Sequence, residues 1–123
     1  MNLQLNSFDN VMVIKISGRI DTHSVPRLRQ QLALTNGAAK KNVILDLAGV
    51  DFIDSSGLST LVHTMKQCRG SGGDLRLCKA PQAVRMVLEL TRLDKALAIF
   101  PNQEGALLSF KSAVDKPEFY AVN

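Results

Sequence analysis

Leu3 and Leu5 alternate with Asn2, Gln4 and Asn6 at the start of the chain, the period of two expected of a strand with one face in water. Residues 11–17 carry Val11, Met12, Val13, Ile14 and Ile16 and read as a more central strand that ends at Gly18. Asp9-Asn10 between them supplies tight-turn residues, so the two strands form a hairpin. A first helix follows, with Val25, Leu28, Leu32 and Ala33 toward the core, Pro26 in its first turn, Thr22 or Ser24 as cap and Asn36-Gly37 as stop. The unbroken apolar run Val43, Ile44, Leu45 and Leu47, within residues 42–47, suits a parallel strand covered on both faces. Leu58, Leu61, Val62 and Met65 then share one face of a second helix.

Beyond the Gly70–Gly73 turn, residues 74–79 make a short strand around Leu75, Leu77 and Cys78. Pro81 opens a third helix with Val84, Val87, Leu88 and Thr91 inward, and residues 96–100 form a short last strand. Pro101-Asn102 leads into a fourth helix reaching about Ser112. The order β-β-α-β-α-β-α-β-α predicts an α/β domain. It is a single domain over residues 1–114, with a mixed, mostly parallel sheet of about five strands, an N-terminal hairpin and about four helices. Residues 115–123 read as a flexible C-terminal tail.

Composition narrows the function. The 123 residues are 46% hydrophobic and 21% charged, as in a globular domain. No apolar run approaches the roughly 18 residues of a membrane helix, and the N-terminus lacks a secretory signal pattern, which together predict a cytoplasmic protein without membrane insertion. The net charge is +4, but the basic residues are scattered, there is no Trp and the one Tyr is Tyr120. No stacking platform for nucleic acid is visible, so direct nucleic-acid binding is not expected. Cys68 and Cys78 fall in a helix and a strand as buried thiols, and no Cys/His cluster has metal-ligand spacing. The GSGG segment lacks the lysine and preceding strand of a phosphate loop. Neither a metal nor a cofactor is expected.

The chemistry concentrates at Asp54-Ser55-Ser56-Gly57, between the central strand and the second helix. Two hydroxyls lie there beside unpaired backbone N–H groups and the positive end of the helix dipole. The simplest role for a serine in this position is helix capping, and Ser56 is expected mainly to cap. A catalytic serine fits poorly: Ile53 stands where a nucleophile elbow needs glycine. The imidazoles His23 and His63 suggest no triad, His63 being placed on the outward face of the helix. The protein is therefore not expected to be an enzyme. Asp21 also closes a strand and opens a helix, so parallel neighbours would place it at the same sheet rim as Ser55.

These residues carry a resemblance to a known family. Gly18-Arg19-Ile20-Asp21, the strand 42–47, the segment Asp51-Phe52-Ile53-Asp54-Ser55-Ser56-Gly57-Leu58, Gly72-Gly73-Asp74-Leu75 and Pro81 onward resemble the STAS domain of anti-sigma factor antagonists. The resemblance covers most of the chain, and its specific part is the D-S-S-G segment with its preceding strand. It implies that Ser55 is phosphorylated by a partner kinase, with Ser56 as runner-up. It also implies a partner-binding surface at Asp21, for which Thr22, Asp54, Ser56 and Gly57 are further candidates. The implied function is a phosphorylation-gated anti-sigma factor antagonist; nothing in the sequence suggests an obligate dimer, and a monomer is expected when it is free. Unphosphorylated, it would bind a serine-kinase anti-sigma factor, and a phosphoserine phosphatase would reset it. The alternative is a non-switching STAS subunit of a lipid or anion transport complex, in which Ser55 is a cap or contact.

Overall fold

Asn2–Phe8 (β1) and Val11–Ile20 (β2) form the expected hairpin, with Asp9 in the left-handed region at φ 52°. The computed structural model describes residues 1–37 and 42–115. After β2 come α1 (Val25–Gly37), β3 (Asn42–Ile53), α2 (Ser55–Gly70), β4 (Asp74–Cys78) and α3 (Gln82–Leu90). A 3-10 turn (Leu93–Lys95), β5 (Ile99–Phe100) and α4 (Gln103–Asp115) complete the fold. The sheet order is β1-β2-β3-β4-β5, with β1 antiparallel to β2 and the remaining pairs parallel. This is the α/β architecture read from the hydrophobic pattern. From residue 116 on, the expected tail lies outside the described residues, as does the chain just beyond the Asn36-Gly37 stop.

The unbroken apolar run of β3 is explained by cover on both faces. Val43, Leu45 and Leu47 pack with Leu28 and Leu32 of α1, Leu61 and Met65 of α2, and Val84 and Leu88 of α3. Ile44 lies on the other face with Val11, Val13 and Cys78, beneath Ala106 and Phe110 of α4. At the same edge of β4, Asp74 takes both Arg69 (2.8 Å) and Arg76 (3.1 Å), while Arg76 also donates to Ser109 and lies over the Phe110 ring. These contacts pin α4 to the sheet.

Four local expectations are corrected. Strand β2 does not stop at Gly18: its φ of +98° accommodates a bulge, with register shifts at Lys15/Ser17 and Gly18/Arg19, and pairing resumes to Ile20↔Ile53. Strand β3 likewise runs past Leu47 to Ile53, which delivers both strand ends to one rim. The last strand is only Ile99–Phe100, because Leu97 N–H bonds back to the Leu93 carbonyl (2.8 Å) instead of joining the sheet. On α1, Ala33 is exposed, while Val25, Leu28 and Leu32 are buried.

The inner face of α2 differs from the apolar reading as well. Its buried residues are Gly57, Thr60, Leu61, Thr64, Met65 and Cys68, whereas Leu58 and Val62 are only partly buried. The helix turns its small and hydroxyl-bearing residues to the sheet because it approaches closely there. A Cβ on Gly57 would stand 2.7 Å from Ile53 Cγ1 and 2.8 Å from the Ile20 carbonyl oxygen. Backbone cannot yield as a flexible side chain can, so Gly57 sets how near α2 lies to the ends of β2 and β3.

Paired glycine variants test that constraint. Alanine is the better helix former by about 1 kcal/mol, yet Gly57→Ala should destabilise the domain by about 1–3 kcal/mol through overpacking. Gly70→Ala, whose Cβ would meet nothing within 4 Å, should be neutral or stabilising. Urea unfolding midpoints decide this; a stabilising Gly57→Ala would show that the approach is not tight.

Candidate functional site at the strand-end rim

The site is assembled by two strand ends lying side by side. Ile20 and Ile53 are register partners, and the Asp54 N–H donates to the Ile20 carbonyl (3.2 Å). One step further along each strand stand Asp21 and Asp54, so the two loops that follow occupy the same rim.

Asp54 is the N-cap of α2, in extended backbone at φ −108° and ψ −173°. Its Oδ1 accepts from the Gly57 N–H (3.0 Å) and from the Ser56 hydroxyl (2.7 Å). Its Oδ2 accepts from the Thr22 N–H across the rim (3.2 Å), with the Thr22 hydroxyl at a looser 3.5 Å. The Thr22 and Ser56 hydroxyls lie 3.4 Å apart. One carboxylate thus caps its own helix and ties down the neighbouring loop. The expectation that Ser56 caps is corrected: the cap is Asp54, because a residue just before the first helical turn can reach the third N–H and a residue inside that turn cannot.

Asp21 organises the other loop. Its Oδ1 accepts from the N–H groups of His23 and Ser24 (3.1 Å each), and its Oδ2 receives Arg19 at 3.3 Å. Ser24 completes the turn by accepting from the Asp21 N–H (2.9 Å) and donating to the Arg19 carbonyl (2.7 Å). The chain enters α1 through these reciprocal bonds, while Thr22 faces the other loop, its N–H donating to Asp54. Arg19 also lies 3.9 Å from the centroid of the half-exposed Phe52 ring.

Both carboxyls titrate below the ordinary value of 3.8. For Asp54 the leading cause is the Ser56 hydroxyl, followed by the Gly57 amide. For Asp21, desolvation pushes upward but is outweighed by hydrogen bonds from Ser24, Arg19 and His23. Both are therefore anions at neutral pH.

Ser55 is the first residue of α2 and is exposed. Among the described residues its hydroxyl makes no hydrogen bond. It opens a groove of about 430 Å³ along the outer side of α2, floored by Leu58, Val62 and Leu93 and edged by Ser59, His63, Lys66 and Thr91. The sequence reading missed this groove because it turned Leu58 and Val62 inward. The spacing Gly57, Thr60, Thr64 and Cys68, small or hydroxyl-bearing at helical intervals, was the signal that could have found it. Gly57 itself is buried, and its N–H is held by Asp54, so it shapes the rim from beneath. The two cysteines are buried outside any disulfide, and burial pushes each thiol up to about 11, far from a reactive thiolate.

Comparison with known proteins identifies relatives of the chain and of its fold. The family model described as the STAS domain matches residues 2–106. A Bordetella bronchiseptica protein named "Putative anti-sigma factor antagonist BtrV" is 30% identical over 119 residues, covering 94% of this chain and all of the relative. The crystal structure of an anti-sigma factor antagonist from Mycobacterium paratuberculosis superposes with a TM-score of 0.82 at 27% identity, over 89% of this chain and 93% of the other. The Bacillus protein SpoIIAA, solved in a phosphorylated form, shares the fold at a TM-score of 0.69 and 22% identity, over 86% of this chain and 96% of its own.

The rim predicts a defined acid response. Because hydrogen bonds depress the folded-state pKa of Asp54, its contribution to stability is complete above the unfolded value near 3.8 and fades as pH falls through the lower folded value. Asp54→Asn should therefore lower the urea midpoint at neutral pH, and the gap to the parent should narrow below about pH 4. A gap that stays constant from neutral to strongly acid pH would contradict a charged clamp.

Proposed function

This chain belongs to the STAS domain family, and on that premise we propose that it is an anti-sigma factor antagonist gated by phosphorylation of Ser55. The observation that carries the reading is the division of labour at the start of α2. Asp54 does the capping and Ser56 is bound to Asp54, which leaves the Ser55 hydroxyl exposed and without a structural task. A serine with no hydrogen bond to satisfy can be modified without dismantling the fold.

In this account the unphosphorylated rim, comprising Asp21, Thr22, Asp54, Ser55 and Ser56 over Gly57, docks on a serine-kinase anti-sigma factor. Docking presents Ser55 to that kinase, and phosphate transfer ends the complex. A phosphoserine adds about −1.5 to −2 charges at neutral pH. Next to Asp54 and near Asp21, both already anionic, it enlarges and further charges a surface that had fitted a small hydroxyl. The helix itself tolerates the phosphate, because the first N–H groups of α2 and its positive dipole end face it. A phosphoserine phosphatase then restores the binding form. Among the described residues no base is bonded to Ser55, which supports a binding module over a hydrolase.

Variants of Ser55 separate the outcomes. With the purified serine-kinase anti-sigma factor from the same organism and ATP, fragment mass spectrometry should place one phosphate on Ser55. Ser55→Ala should bind that kinase constitutively, whereas Ser55→Asp should bind it at least about tenfold more weakly, a loss of about 1.4 kcal/mol. Phosphate on Ser56 alone, or unchanged binding by both phosphorylated protein and Ser55→Asp, would favour the non-switching transporter subunit.

A further inference from the structure

Strand β1 is an edge without the usual protection. Its only strand neighbour among the described residues is β2, with which it pairs over seven consecutive positions without a register shift. Six of its seven residues are exposed, including Leu5 and Phe8 at about two-fifths of their surface. The sequence Asn2-Leu3-Gln4-Leu5-Asn6-Ser7-Phe8 contains no charge, no proline and no bulge, the devices that normally keep an open edge from pairing. The opposite edge, β5, is only two residues long and offers no comparable template.

We infer that β1 is a self-association edge, whose occupant is β1 of a second copy running antiparallel about a two-fold axis near Leu5. The strand is complementary to itself in that arrangement. Gln4 meets Asn6, an amide pair able to exchange hydrogen bonds, Leu3 meets Ser7 and Leu5 meets Leu5, so no like charges are opposed. Charge also argues for this face. Each copy carries +4 overall, so two copies repel, and a contact along a stretch without charge adds no local repulsion to that. An antiparallel contact of this kind is isologous and closes after one pairing, because each copy has a single long edge. A seam of one strand pair buries less than the roughly 1,200 Å² of a standard stable interface, so the dimer is weak and forms at high local concentration. The docking rim at Ser55 lies on other elements, at the ends of β2 and β3 and the starts of α1 and α2.

Sedimentation velocity on the 123-residue chain, across about a hundredfold range of concentration up to about 1 mM, tests the seam. The sedimentation coefficient should rise toward the dimer value, and more so with added salt, which screens the repulsion. Leu5→Lys and, independently, Asn6→Lys should hold the protein monomeric throughout, with circular dichroism confirming that each variant is folded. Amide exchange of β1 should slow as concentration rises. A chain that stays monomeric across the range, or both variants associating as the parent does, would overturn the inference. So would outward-pointing β1 amides, those not bonded to β2, protected equally at every concentration, since the edge would then be covered within one copy.

Discussion

A single carboxylate holds the working end of this domain together. Asp54 caps α2 through the Gly57 N–H, binds the Ser56 hydroxyl and reaches the Thr22 N–H of the neighbouring loop. Without it, the β2–α1 and β3–α2 loops would keep strand pairing and the looser contact of the Thr22 and Ser56 hydroxyls at 3.4 Å. Everything beneath serves to bring these groups within reach. The Gly18 bulge lets β2 continue to Ile20, β3 extends to Ile53, and Gly57 lets α2 settle against both strand ends. The clamp also resolves the ambiguity of two adjacent serines. With the cap supplied from outside the helix, one serine becomes part of the clamp and the other is left exposed.

Much of this was legible in the sequence, because the decisive residues are local. Periodicity two in β1, the unbroken apolar run of β3 and the D-S-S-G knot before an amphipathic helix each point to an element by short-range physics. The placement of Asp21 and Ser55 at one rim followed from the rule that parallel strands bring their carboxyl ends together. What escaped were matters decided by the neighbours. Which face of α2 turns inward depends on the closeness of the sheet, so Thr60 and Thr64 are buried while Leu58 and Val62 line a groove. Which residue caps depends on one backbone conformation, at Asp54. Hydrophobicity along the chain encodes neither.

The central claim is that Ser55 phosphorylation removes a docking surface without changing the fold. Its most direct measurement is a backbone amide NMR titration of isotope-labelled protein with the serine-kinase anti-sigma factor, before and after quantitative phosphorylation. The account predicts that the unphosphorylated form shows a perturbed footprint centred on Asp21, Thr22 and residues 54–57. The phosphorylated form should keep the free spectrum except next to Ser55, and that footprint should be lost. A footprint that persists on the phosphorylated protein, or one that lies away from this rim, would contradict it.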